Sequence, residues 1–231
     1  MKVLIVIPAY NEEKNIVRVV DNLREHYSQY DYVIINDGSK DNTASICREH
    51  GYNLVSLPVN LGLSGAFQTG LKYAYENDYD YAIQFDADGQ HRPEYIAPIL
   101  EEIQKGSDIV IGSRFVTEKK PFSARMLGSR MISLAMRLTT GFKVQDPTSG
   151  MRMFNRKMIQ EFAQNVNYGP EPDTVSYLMR EGAKVSEVQV QMDERIAGES
   201  YLNLWRSMSY MLRMGISIML VQFFRKREKK S

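Results

Sequence analysis

Cysteine is nearly missing: Cys47 stands alone in 231 residues, which excludes a disulfide framework and a Cys-rich zinc site. Histidine is scarce too, and His26, His50 and His91 show no paired metal-ligand spacing. Neither sign of charge dominates. The 29 Lys+Arg oppose 28 Asp+Glu for a formal net charge of +1, which argues against nucleic acid as a partner. No apolar run reaches the roughly 18 residues that a spanning helix requires. The run Val3–Ile7 behind Lys2 stops at Pro8, too short for the apolar region of a signal peptide, so a buried strand is expected there. The body of the chain is accordingly expected in the cytosol.

What is present is an ordinary globular composition, 43% hydrophobic and 25% charged. Short runs rich in Val, Ile and Tyr predict strands at Val3–Ile7, Tyr32–Ile35, Leu54–Leu57, Tyr81–Phe85 and Ile109–Ile111. Helical patterns fall between them, at Glu12–His26, Asn42–His50 with Asp41 as N-cap, Ser64–Asn77 and Pro93–Lys105. Such alternation implies an α/β fold with a mostly parallel sheet flanked by helices. Beyond Ser113 the spacing predicts helices over Phe122–Thr139 and near Asp173–Glu181, with strands at Met151–Phe154 and Lys184–Met192. The boundaries expected are one domain over residues 1–200 and a C-terminal amphipathic helix with a basic tail over 201–231.

In that extension Leu204, Trp205, Met208, Met211, Leu212, Ile216, Met219, Leu220 and Phe223 follow helical spacing. The segment Arg225–Ser231 adds five basic residues and one acid, leaving the preceding residues at −3. A helix packed on the domain explains the stripe alone. A helix lying in a membrane surface with anionic lipid contacts explains both features, and that is the expectation. The same helix could bury itself against a second copy of the chain, making a homo-oligomer, or against a small membrane partner.

Open parallel sheets bind ligands outside the carboxyl ends of their strands. The residues there are Pro8-Ala9-Tyr10-Asn11-Glu12, then Asn36-Asp37-Gly38-Ser39, then Asp86-Ala87-Asp88-Gly89-Gln90-His91. Glu12, Asp37, Asp86 and Asp88 on one rim repel each other unless a cation is held among them. A hard divalent ion that bridges carboxylates and substrate phosphates fits this oxygen-rich set. Asp37-Gly38 can equally be a turn capping the next helix. Gly62, Gly65 and Gly70 lack dinucleotide-fingerprint spacing and are expected at close-packed positions.

At this point the sequence resembles the family-2 glycosyltransferases of the GT-A fold, a Rossmann-like architecture. The resemblance is to the polyprenyl-phosphate branch, similar to dolichyl-phosphate mannose synthases and to bacterial undecaprenyl-phosphate GlcNAc or glucose transferases of cell-wall polysaccharide synthesis. It is carried by IPAYNEE (7–13), INDGSKDNT (35–43), NLGLSGAFQTG (60–70), FDADGQH (85–91), GSRF (112–115), DPTSGMR (146–152) and DERIAGES (193–200). The late motif continues into Ser200-Tyr201 where the branch usually has Ser-Lys. The resemblance implies a nucleotide-sugar site formed by Pro8, Tyr10, Glu12, Ile35, Asp37, Asp86, Ala87, Asp88, Gln90 and Arg114. Asp88 and Gln90 would hold Mg²⁺ or Mn²⁺. Asp88, Arg114 and Arg195 would carry the catalytic contacts to phosphate of the donor or of the lipid acceptor. Apart from the resemblance, Arg125, Arg130 and Ser200 are candidates for the lipid phosphate, and an exposed helix face explains the two arginines as simply.

The expected reaction is inverting transfer of GlcNAc or glucose from a UDP-sugar to undecaprenyl phosphate, at the cytoplasmic face of the cell membrane. A phosphate acceptor is already anionic at neutral pH and needs little base catalysis. Residues 113–121, with Lys119 and Lys120, form either a lid or a solvated loop. The alternatives are a GDP-mannose donor, or a saccharide acceptor activated by Asp146 as base. A non-catalytic nucleotide-sugar-binding scaffold is a further alternative, disfavoured by the intact acidic rim.

Overall fold

The computed structural model describes residues 1–164, 169, 171–193 and 204–220, the side chains at 124, 125 and 204–208 apart. The elements follow in the order β1 (Val3–Ala9), α1 (Ile16–His26), β2 (Asp31–Asn36), α2 (Thr43–Glu49), β3 (Leu54–Ser56), α3 (Gly62–Glu76) and β4 (Tyr81–Gln84). After a 3-10 turn at Pro93–Tyr95 come α4 (Ile96–Gln104), β5 (Ile109–Ser113), α5 (Ala124–Thr140), β6 (Arg152–Asn155), α6 (Arg156–Gln164), α7 (Pro172–Arg180), β7 (Val185–Gln189) and α8 (Leu204–Met219).

The seven strands make one sheet in the order β3-β2-β1-β4-β6-β5-β7. Strand β6 alone is antiparallel, inserted between β4 and β5. Helices cover both faces. Along β1, Val3, Ile5 and Ile7 point into one apolar cluster with α1 and α4, while Leu4 and Val6 point into another with α3, α5, α6, α7 and α8. This two-sided burial is why β1 is an unbroken apolar run. Gly70 lets α3 sit against β1, since a Cβ there would lie 2.1 Å from Val6 Cγ1.

Several expectations are corrected. Helix α1 starts at Ile16, not Glu12, because residues 11–15 are spent on a turn. Asn11 has φ +57°, and the Glu12 carbonyl accepts from the amides of Asn15 and Ile16 at 3.0 and 2.9 Å. Helix α6 had no counterpart in the sequence reading. It follows β6 without a break, and Asn155 Oδ1 accepts from the Met158 amide at 3.0 Å, an N-cap contact. Asp37-Gly38 does not cap the next helix, α2; there Asp41 Oδ1 accepts from the Thr43 amide at 3.0 Å.

Helix α8 packs on the domain: Met214 and Ile218 are buried in the core with Ile132 and Met136 of α5. Among the described residues no helix is long and apolar enough to cross a membrane. The basic tail at 225–231 lies outside the described residues.

Candidate active site

Strands β2, β1 and β4 are neighbours, so their carboxyl ends bring Asp37, Pro8–Glu12 and Asp86–Gln90 to one rim. The β1 end is fastened to the β2–α2 loop. The Asn11 amide donates to Ser39 Oγ at 3.0 Å, the Lys40 amide to Asn11 Oδ1 at 2.8 Å, and the Glu12 amide to Thr43 Oγ1 at 2.9 Å. Glu12 itself accepts from Asn15 Nδ2 at 2.7 Å. Tyr10 and Pro8 are half-buried, and Ile35 is fully buried in the core.

Asp37 is buried, and its Oδ1 accepts from the Leu61 amide at 2.7 Å, just ahead of α3. Burial pushes its carboxyl above the usual value of 3.8, against the opposing hydrogen bonds from the Leu61 and Gly62 amides. Gly38, at φ +64°, is required beside it, because a Cβ would lie 2.7 Å from Val59 C and Asn60 N.

Just beyond β4, Asp86 is the half-exposed member of a built cluster. Its Oδ1 accepts from Gln84 Nε2 at 3.1 Å, and Nε2 of buried His91 stands 3.5 Å from its Oδ2. The Asp86 amide donates to His91 Nδ1 at 2.9 Å, which assigns the ring proton to Nε2. Gly150 makes room for this carboxylate: a Cβ would lie 2.9 Å from Asp86 Oδ2. Ala87 is buried, and so is Asp88, whose Oδ1 accepts from the Gln90 amide at 3.0 Å across the left-handed Gly89. The Gln90 side chain donates to the Asp193 carbonyl at 3.3 Å, and His91 bridges to Met192.

For a hard divalent ion this donor set is chemically suitable. Asp88 and Gln90 offer oxygen atoms, with Asp86 adjacent. Among the described residues no three His, Cys, Asp or Glu side chains converge. The protein would therefore supply few ligands and leave the rest to a diphosphate and water, which suits Mg²⁺ and Mn²⁺.

Arg114 leaves β5, two strands away from β4, and is already engaged. Its Nε and Nη2 donate to Asp146 at 2.7 and 2.9 Å, and its amide reaches Asp146 Oδ2 at 3.2 Å. Asp146 is fully buried. Burial alone would raise its carboxyl, but the bonds and charge of Arg114, with Lys120 beyond, hold it below the usual range. The 113–121 loop is docked rather than free. Lys120 Nζ donates to Ser129 Oγ at 2.8 Å, and Arg130 Nη2 donates to the Lys120 carbonyl at 2.8 Å. Lys119 stays exposed. Between this loop and α5 opens a cavity of about 630 Å³ whose lining includes Lys119, Lys120, Arg130, Arg137 and Lys143, with Glu118 the one acid among the described lining residues. Arg195 and Ser200, and the side chain of Arg125, lie outside the described residues.

The sequence reading missed the layer beneath. Arg152 of β6 is fully buried, donates to the Pro147 carbonyl at 2.6 Å, and lies within the field of Glu171, Asp146 and Asp86. Glu171 accepts from the Tyr210 hydroxyl, and Asp173 Oδ2 accepts from Ser217 Oγ at 2.6 Å, so α8 is tied to α7. An arginine in the apolar-flanked segment Met151–Phe154 was the available signal.

Residues 4–162 match the profile of Glycosyl transferase family 2. The chain is 36% identical over 187 residues to a UDP-N-acetylglucosamine–dolichyl-phosphate N-acetylglucosaminyltransferase of Methanococcus voltae, covering 71% of this chain and 73% of that protein. It is 30% identical over 216 residues to an undecaprenyl-phosphate mannosyltransferase of Micrococcus luteus, covering 88% of each. Its fold superposes on glucosyl-3-phosphoglycerate synthase of Mycobacterium tuberculosis, solved with Mn²⁺, UDP and phosphoglyceric acid. The TM-score is 0.67 at 20% identity, over 98% of this chain and 80% of that one.

Proposed function

The chain belongs to glycosyl transferase family 2, and from that premise we propose that it transfers GlcNAc or glucose from a UDP-sugar to undecaprenyl phosphate with inversion. The observation that carries the choice of acceptor is the Arg114–Asp146 clamp. A hydroxyl acceptor needs a base with a raised pKa and access to the proton. Asp146 has neither, being fully buried and held ionised by a bidentate arginine. Glu171 and Asp173 are likewise occupied by hydroxyls of α8. A phosphate monoester arrives ionised and needs no such base. The relatives that act on dolichyl and undecaprenyl phosphate support the same class of acceptor. The first of them supports a UDP-GlcNAc donor; the second keeps a mannosyl donor as the alternative.

In this reading Pro8, Tyr10, Glu12, Asp37 and Asp86 form the base and ribose pocket, with Ile35 and Ala87 buried behind it and able to offer backbone only. Asp88 and Gln90 would hold a divalent ion, which would supply charge neutralisation at the diphosphate leaving group. The Gln84–Asp86–His91 cluster orients the Asp86 carboxylate. An acceptor phosphate oxygen bonds to the anomeric carbon as the bond to UDP breaks on the opposite face. Arg130 and Lys120 border the cationic cavity by which that phosphate approaches. Arg195, Arg125 and Ser200 complete the proposed phosphate contacts. The reading puts the work at the cytoplasmic face of the cell membrane, where a nucleotide sugar and a lipid acceptor would meet.

The test is incubation of the purified protein with undecaprenyl phosphate, Mn²⁺ and labelled UDP-GlcNAc, UDP-glucose or GDP-mannose. Label from one UDP-sugar in the organic phase, lost in Asp88→Ala, is expected. Transfer only to a soluble saccharide would overturn the reading, and label from GDP-mannose alone would reassign the donor.

A further inference from the structure

We infer that the ion pair between Arg92 and Asp193 is a latch that orients the Gln90 amide, which makes Arg92 and Asp193 positioning residues for the divalent-ion site. The latch rests on the reading in which Asp88 and Gln90 hold that ion. A glutamine can meet a hard cation only through Oε1, since Nε2 is a donor. Its amide can turn over, so either end can face the ion unless a neighbour distinguishes them. That neighbour is the Asp193 carbonyl, which can only accept. Gln90 Nε2 donates to it at 3.3 Å, and the Asp193 amide returns a bond to the Gln90 carbonyl at 2.9 Å. With Nε2 committed to Asp193, Oε1 is the end left for a cation.

Asp193 is itself held from two directions. On the sheet side the chain leaving β7 follows a fixed path. The Val190 amide donates to the Ser113 carbonyl at 2.9 Å, and the Gln189 side chain accepts from the Thr117 amide at 2.9 Å and donates to the Arg114 carbonyl at 3.0 Å. Met192 then bridges to His91. On the loop side, Arg92 Nε and Nη2 both reach Asp193 Oδ1, at 2.7 and 2.5 Å, and Nη1 donates to Gln191 Oε1 at 3.3 Å. Only a guanidinium fork spans the carboxylate and the amide oxygen together; a lysine offers one point of charge. Gln90, Arg92 and Asp193 thus close a small ring around the end of the Asp88 loop. Arg18 supports the same loop separately, packed so closely on Gly89 that a Cβ there would lie 2.1 Å from its Nη2. The Arg92 and Asp193 side chains are 34% and 47% exposed, so their pairing adds little to stability. What it fixes is position. Arg195 follows Asp193 by two residues, so the latch also sets the point from which the chain departs toward that arginine.

The test is calorimetry of UDP binding to the full-length protein with and without Mn²⁺, the ratio of the two affinities giving the gain due to the ion. Wild type should show a gain that Asp88→Ala removes. Arg92→Ala should cut the gain by about tenfold or more, as loss of a group that orients a metal ligand does. Its metal-free UDP affinity and its melting temperature should stay close to wild type. Arg92→Lys should restore part of the gain. In a Gln90→Ala background Arg92→Ala should have no further effect, because the amide it orients is gone. An undiminished gain in Arg92→Ala would overturn the latch and leave the ion site standing. So would additive losses from Gln90→Ala and Arg92→Ala. A fall in UDP affinity that is equal with and without Mn²⁺ would also overturn it, since Arg92 would then meet the diphosphate directly. A wild type with no gain, or a gain that survives Asp88→Ala, would overturn the reading of the ion site and the latch with it.

Discussion

Replacing Arg114 by alanine tests whether its guanidinium serves the fold before it serves a phosphate. Asp146 is fully buried and takes Arg114 hydrogen bonds at 2.7, 2.9 and 3.2 Å, the last from the backbone. Removing one partner of a buried pair strands the other charge, at about 3–5 kcal/mol. Two facts reduce that here. Arg114 is 23% exposed, and Lys120 remains as a second cation near Asp146. A loss of about 2–4 kcal/mol is therefore expected, with the exposure discount applied. In a chain of this length each kcal/mol moves Tm by about 2–4 °C, so melting should fall by about 5–15 °C.

The companion variants sharpen the test. Arg114→Gln with Asp146→Asn replaces both charges at once and should recover most of the loss, giving a coupling of about 2 kcal/mol in a double-mutant cycle. The pH dependence has a definite sign. Asp146 is depressed below its ordinary 3.8, so its stabilisation is complete above that value and disappears as pH falls through the lower folded value. Wild type should lose stability below about pH 4 that Asp146→Asn does not lose. Thermal and urea unfolding across pH 2.5–7, as approximate limits, measure all three quantities. If Arg114→Ala melts like wild type and the coupling is near zero while transfer is abolished, the clamp contributes nothing and the guanidinium belongs to the phosphates.

Three further outcomes follow from the rim. Gly38→Ala forces a left-handed residue against backbone at 2.7 Å and should cost about 2 kcal/mol or more, together with UDP affinity, by calorimetry and unfolding. Gly150→Ala should displace Asp86, raising the donor KM severalfold with little change in Tm, because its Cβ would meet Asp86 Oδ2 at 2.9 Å; an unchanged KM would remove Asp86 from the donor site. Burial raises Asp37, so UDP binding through its ionised form should weaken as pH falls through a value above the ordinary 3.8, and Asp37→Asn should abolish that acid limb.

Period-two burial explains which parts of the chain could be read directly. Strand β1 is apolar throughout because Leu4 and Val6 enter one core cluster while Ile5 and Ile7 enter the other, and the acidic residues that follow β1, β2 and β4 share a rim because those strands are adjacent. Features made by distant pairs were not legible. Arg114 and Asp146 are 32 positions apart, and neither residue signals that it is the other's partner. The strand β6 looks like its neighbours in sequence yet runs antiparallel, a property of the connection through α5 rather than of its residues. Helix α5 shows the limit most clearly. Its apolar residues occupy two sides, and composition alone does not say which is inward. Packing of Ile132 and Met136 against α8 settles that choice and leaves Met131 and Leu138 on the outer surface.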